Sequence, residues 1–207
     1  MNLTTQLITY ITLSCVTAYL MGCIPTAYLI AKRNGLDIFA IGTKSAGTAN
    51  VYRNVSRGKG VLVFVIDVTK GALSLALPLI LDLPEFALFL AAFFSIAGHW
   101  NSVFTGFKGG DSMASMLGII LVLIPGVSVL AILIGCLFVF ICKRYKYRSS
   151  IGLLICCGIL LTLAFVSEGN MFIAFGLFVL CNVVIAHNIY KGIKLNPALP
   201  VSKTLDL

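Results

Sequence analysis

The chain has 207 residues, of which 59% are hydrophobic and 11% charged, far from the roughly 45–50% apolar content usual in water-soluble domains. A soluble fold is excluded for want of polar surface. The net charge of +8 would suit nucleic acid, but its placement along the chain argues for membrane topology and attraction to anionic lipid instead.

Apolar runs occupy residues 7–31, 61–81, 86–105, 113–124, 127–142, 151–166 and 171–190. A helix needs about 20 apolar residues to cross a bilayer, and these runs are apolar almost all round rather than amphipathic. The expectation is an all-α integral membrane protein, residues 1–207 forming one polytopic domain of seven transmembrane helices. The runs at 113–124 and 151–166 are short, so their ends should extend into flanking polar residues or the bilayer should thin around them. The first run has no basic segment before it and no A-x-A cleavage pattern, which reads as a retained span rather than a signal peptide.

With the N-terminus outside, the inward segments hold fourteen of the fifteen basic residues, including Lys32, Arg33, Lys44, Arg53, Arg57, Lys59, Lys108, Lys143, Arg144, Lys146, Arg148, Lys191, Lys194 and Lys203. The outward loops carry only Asp82, Glu85 and Glu168. Such a bias predicts an external N-terminus and a cytoplasmic C-terminus. The seven cysteines (Cys15, Cys23, Cys136, Cys142, Cys156, Cys157 and Cys181) lie within or beside apolar runs without metal-ligand spacing, and read as small core hydrophobes with neither a disulfide framework nor a metal site.

Residues 32–60 form the richest polar segment, with Gly42 and Gly47 interleaved among Thr43, Ser45, Asn50 and Arg53. Glycines let backbone amides approach an anion, and hydroxyls with an arginine fork add the donors phosphate prefers. An ordinary cytoplasmic loop of turn residues and topogenic charges fits the same spacing equally well. Residues 98–118 carry His99, then Lys108, Gly109 and Gly110, with Asp111 and Ser112 opening the next run and Ser115 one turn on. A glycine turn entering a helix suits an anion. Asp111 is by itself a good N-cap and would repel a phosphate, so a simple capped helix start competes with that reading.

Asp67 and Lys70, three apart in the second run, share a helix face and are expected to form a structural ion pair. His99 and His187 sit near the inward ends of their runs, His187 beside Asn188. Lone interfacial histidines are usually helix-end hydrogen bonders, yet two on the side of both glycine segments suggest a shared site.

Taken together these segments resemble the PlsY type of membrane acyltransferase. GCIPTAYLIAK (22–32) is similar to that family's G-S-I-P-x-A-Y-L-I opening, and DIFAIGTKSAGTANVYR to D-I-R-x-x-G-S-G-N-x-G-A-T-N-x-x-R, matching at Asp37, Gly42, Gly47, Asn50 and Arg53. Asp67, Lys70 and Gly71 resemble D-x-x-K-G, and GHWNSVFTGFKGGDSMAS resembles G-H-x-x-P-x-F-x-x-F-K-G-G-K-G-V-A-T. The departures fall on the chemistry. Thr43 stands for serine, Lys44 and Ser45 for glycine and asparagine, Ser102 for proline, Asp111 and Ser112 for lysine and glycine, and Ser115 for threonine. The third motif, H-R-x-N-I with a downstream glutamate, survives only as His187 and Asn188.

The resemblance implies transfer of a fatty acyl group from acyl phosphate to glycerol 3-phosphate or a related polyol phosphate, without a cofactor, metal or covalent enzyme intermediate, at the cytoplasmic face of the bacterial cell membrane. It implies that Thr43, Asn50 and Arg53 hold phosphate or acceptor oxygens, that Gly109 and Gly110 line the loop, and that His99, His187 and Asn188 orient the reactants. Two competing expectations are a non-catalytic lipid- or partner-binding relative and a small transporter. Transporter sites usually lie at the bilayer midplane, whereas the polar motifs here gather on one side.

Overall fold

A computed structural model describes residues 2–142, 145, 147–166 and 170–195, with the backbone alone at Leu195. Lys143, Arg144, Lys146, Glu168 and Lys203, which enter the charge-bias expectation, and the tail beyond 195 lie outside the described residues. The chain divides into two compact units, residues 1–122 and 123–207. Among the described residues every regular element is helical.

The first unit begins with α1 (Leu3–Cys23) and α2 (Thr26–Lys32). The single run expected over 7–31 is therefore interrupted at Ile24–Pro25, because proline has no N–H for the helical ladder and its ring crowds the carbonyl four residues back. A turn and loop lead to the short α3 (Thr48–Asn54), then to α4 (Arg57–Leu73) and α5 (Ala76–Ile80). The interruption between α4 and α5 has the same origin, since Pro78 offers no donor to the Ser74 carbonyl. Next come α6 (Glu85–Trp100), a 3-10 turn (Val103–Thr105) and α7 (Met113–Leu123).

Small residues set the close crossings. A Cβ at Gly22 would overlap the Ser95 carbonyl, and one at Gly98 the Tyr19 carbonyl, so α1 and α6 meet backbone to backbone. Gly71 of α4 likewise lies against Ser115 of α7, and Gly118 of α7 against Val68 of α4. Such contacts suit helices in lipid, where packing rather than exclusion of water drives association. Beneath the polar segment, Ala27, Ala31, Ile38, Ala46, Val51 and Val63 form a buried cluster tying α2, the loop, α3 and α4 together.

The second unit contains α8 (Val127–Ile141), α9 (Arg148–Val166) and α10 (Met171–Leu195). Gly135 and Gly152 bring α8 and α9 into close contact. Cys157 of α9 and Cys181 of α10 face one another where the two helices pack, a juxtaposition that sequence spacing cannot reveal.

Five segments are long and apolar enough to cross a membrane: Leu3–Lys32, Arg57–Ile80, Glu85–Thr105, Arg148–Val166 and Met171–Lys194. Met113–Leu123 and Val127–Ile141 are apolar but shorter. The expected run 151–166 does gain a polar turn at its start, Arg148 to Ser150. Exposed side chains such as Leu133, Phe140, Phe165 and Phe175 are those expected of an integral membrane protein, whose outer surface meets lipid.

Candidate active site

The two glycine segments, separated by more than fifty residues in sequence, meet at one end of the first unit. Ala46 donates its N–H to the Gly109 carbonyl at 3.2 Å, and the Ser45 hydroxyl donates to Asp111 Oδ1 at 2.6 Å. Asp111 Oδ2 lies beside Gly47, where a Cβ would stand 3.5 Å away. The Gly110 N–H is taken by the His99 carbonyl at 3.0 Å.

Gly109 and Gly110 are glycines because there is no room for anything else. A Cβ on Gly109 would overlap the carbonyls of His99 and Trp100, and one on Gly110 would overlap His99 Nε2 and the Ala46 carbonyl. Gly110 is thus the point where α6, the first glycine segment and the second come together. Its amide, expected from sequence to line an anion, is committed to His99.

Between these elements lies a small, open cleft. One wall is the break between α1 and α2, residues 22–26; the other is His99, Ser102, Thr105, Lys108, Gly109 and Gly110; Ala46, Asp67 and Lys70 complete it. The imidazole of His99 is buried, while Lys108 is exposed at the rim. Lys108 Nζ stands 5.7 Å from the centre of the Phe39 ring, Phe39 stacks on Tyr28 at 6.0 Å, and Lys32 caps Tyr28 at 5.7 Å. Cation–π contacts at each end of this stack hold the lysine near the mouth without neutralising its charge.

Asp67 and Lys70 form the expected ion pair, at 2.9 Å, with both side chains buried. Sequence gave no sign that the pair would line the cleft. Neither did it reveal the break wall, because Ile24–Pro25 is apolar and sits inside an apolar run. Ser102, at the family's proline position, has a hydroxyl to give, and donates it to the Cys23 carbonyl at 2.6 Å.

The remaining candidates divide. Asn50, expected to contact phosphate, is 1% exposed and its amide nitrogen faces the carbonyls of Ile38, Ile41 and Ser45 at 3.0, 3.1 and 2.9 Å. Its carbonyl oxygen accepts from Asn54 at 2.8 Å and from the Thr43 N–H at 3.4 Å. Asn50 therefore shapes the segment from inside, with Gly42 packed against the amides of Asn50 and Asn54. Thr43 and Arg53 are exposed on that segment and do not line the cleft. The Ser112 hydroxyl donates to the Ile96 carbonyl at 3.3 Å, and Ser115 is fully buried where α7 meets Gly71 of α4. These two serines serve packing and the entry to α7. His187 and Asn188 are half-buried on α10 in the second unit.

Lys44 and Ser112, both at glycine positions of the family pattern, keep the left-handed backbone a glycine would adopt, with φ of 53° and 57°. A non-glycine residue there costs roughly 1 kcal/mol. Lys44→Gly should therefore raise stability by about 1 kcal/mol, and Ser112→Gly by less because its bond to Ile96 is lost; thermal unfolding in detergent checks both.

A family model for glycerol-3-phosphate acyltransferase matches residues 12–194. A glycerol-3-phosphate acyltransferase of Geotalea daltonii is 33% identical over 170 residues, covering 82% of this chain and 86% of the relative. Crystal structures of PlsY, an integral membrane glycerol 3-phosphate acyltransferase, superpose in a glycerol 3-phosphate form with a TM-score of 0.72 and in a lysophosphatidic acid form with 0.70. Each is 28% identical, with 89% of this chain and 92% of that one covered. The family model spans most of the chain and the relative is covered nearly from end to end, so the chain belongs to the glycerol-3-phosphate acyltransferase family.

Proposed function

We propose that the chain acylates glycerol 3-phosphate, taking the acyl group from an acyl phosphate and releasing lysophosphatidate and inorganic phosphate for phospholipid synthesis. The observation that carries this reading is the joint of the two glycine segments around His99 and Lys108, which puts a cation and a buried imidazole at one cleft beside an apolar bundle. The relatives' names and the two ligand forms of PlsY support the acceptor and product.

An acyl phosphate is already activated, so the protein needs no nucleophile of its own. The acceptor hydroxyl oxygen attacks the acyl carbonyl carbon, and the carbon–oxygen bond to phosphate breaks with its electrons on phosphate. The hydroxyl proton leaves with that phosphate. Catalysis then consists of holding the two reactants in register and stabilising negative charge with fixed donors. Lys108 supplies the cation at the mouth and His99 orients; Thr43 and Arg53 lie outside the cleft lining, exposed on the first glycine segment, and serve the acceptor phosphate as it approaches the mouth.

In this reading the chain crosses the bacterial cell membrane seven times, N-terminus outside and C-terminus inside, with the cleft toward the cytoplasm, where phosphorylated substrates are found. The two shorter helices cross where the bilayer thins or their flanking residues extend them. Offering the purified protein acyl phosphate, acyl-CoA and acyl carrier protein in parallel tests the donor. Phosphate release with acyl phosphate alone is expected. Turnover only with a thioester would overturn the proposal.

A further inference from the structure

The lining of the cleft includes a charge pair that no step of acyl transfer requires. Lys70 and Asp67 are 3% and 2% exposed, and a buried ion pair is commonly no more stabilising than apolar side chains of the same size. Stability alone does not explain its place. Lys70 Nζ also donates to the Ile24 carbonyl at 2.9 Å, across 46 residues of sequence. Ile24 caps α1 at the break, where its carbonyl has lost its helical partner and takes the Thr26 N–H at 3.1 Å beside the Lys70 ammonium. The neighbouring Cys23 carbonyl takes the Ser102 hydroxyl, so two side chains from distant elements tie down two successive carbonyls of one cleft wall. The next residue on α4, Gly71, packs against Ser115 in the first turn of α7, the helix into which the Gly109–Gly110 turn runs. A single stretch of α4 therefore reaches both walls.

We propose that Lys70 is a positioning residue of the cleft: its ammonium, steadied by Asp67, ties the Ile24 carbonyl to α4 and fixes the 22–26 part of the lining in register with Gly109 and Gly110. The proposal deepens the acyl-transfer reading and rests on it for its kinetic consequence. Its structural consequence stands separately.

The test replaces the pair without leaving a lone buried charge, as D67N/K70M, and more mildly as D67N/K70Q, whose shorter side chain cannot span to Ile24. Two readouts are taken. The first is labelling of Cys23, fully buried in the break wall, by a membrane-permeant maleimide, mapped by mass spectrometry against exposed Cys136. The second is the kinetics with glycerol 3-phosphate. Both double variants should label Cys23 at least tenfold faster relative to Cys136 and raise KM at least tenfold with kcat within threefold. K70R, which keeps the cation and the donor, should restore both values to near wild type. Unchanged labelling and unchanged KM in a folded double variant would overturn the proposal and leave a structural pair. Faster labelling in a protein whose wild type turns over no polyol phosphate would keep Lys70 as the tie and sink the acyl-transfer reading alone.

Discussion

Gly110→Ala should lower kcat/KM at least about 100-fold while leaving the helix content nearly unchanged and lowering stability by only about 1–3 kcal/mol, the usual cost of overpacking. The added methyl has nowhere to go: it would overlap His99 Nε2 on one side and the Ala46 carbonyl on the other. Either the imidazole leaves the cleft or the two glycine segments part, undoing the 3.2 Å bond between Ala46 and Gly109. A displacement of about 1 Å in a positioning site can cost 10²-fold in rate, because nothing but register separates a bound reactant pair from a reacting one. Gly58→Ala is the matched control. Its Cβ would meet nothing within 4 Å, it lies in the first turn of α4, and alanine there should be neutral or slightly stabilising. Circular dichroism and steady-state kinetics on the two variants separate a local effect at the joint from a general intolerance of alanine.

Asp111 should set the acceptor's KM. It stands where the family pattern has lysine, and Ser45, where the pattern has asparagine, donates to it at 2.6 Å. Two departures that look independent in sequence are thus one contact. A carboxylate at this position repels a phosphate dianion, whereas a lysine would add a charge-assisted bond worth roughly 1.5–3 kcal/mol. Restoring both residues as S45N/D111K should therefore lower KM for glycerol 3-phosphate by about tenfold or more with little change in kcat. Asp111→Asn removes the charge and keeps an acceptor for Ser45, and should give an intermediate value. A KM that stays put or rises in both variants would mean that Asp111 does not face the acceptor.

Much of the architecture is legible in sequence because long apolar runs have few alternatives. Five of the seven expected segments form helices, or closely spaced helix pairs, of crossing length, and the other two form shorter apolar helices. The interruptions at Pro25 and Pro78 could have been foreseen from the residues. Their consequence for the cleft could not, since it depends on which side chains, Lys70 and Ser102, come to rest against the freed carbonyls.

The site was legible as residue types on two segments, not as roles. Composition marks 42–53 and 106–112 as suited to anions; only the fold shows that Ser45 meets Asp111 and Ala46 meets Gly109. Asn50 is the instructive case. Its polarity beside glycines pointed toward substrate, yet a buried amide needs partners, and five neighbouring groups of its own segment satisfy it. Ser115 is a second such case, because a small residue at a helix crossing and a phosphate-binding hydroxyl look alike in one dimension.

The measurement that bears most directly on the central claim is the conversion of labelled glycerol 3-phosphate and acyl phosphate to chloroform-soluble lysophosphatidate by the purified, membrane-reconstituted protein. The account predicts product formed one for one with phosphate and abolished to at least the extent given above by Gly110→Ala. Wild-type protein that binds neither substrate and forms no labelled lipid, or a Gly110→Ala variant as active as wild type, would contradict it.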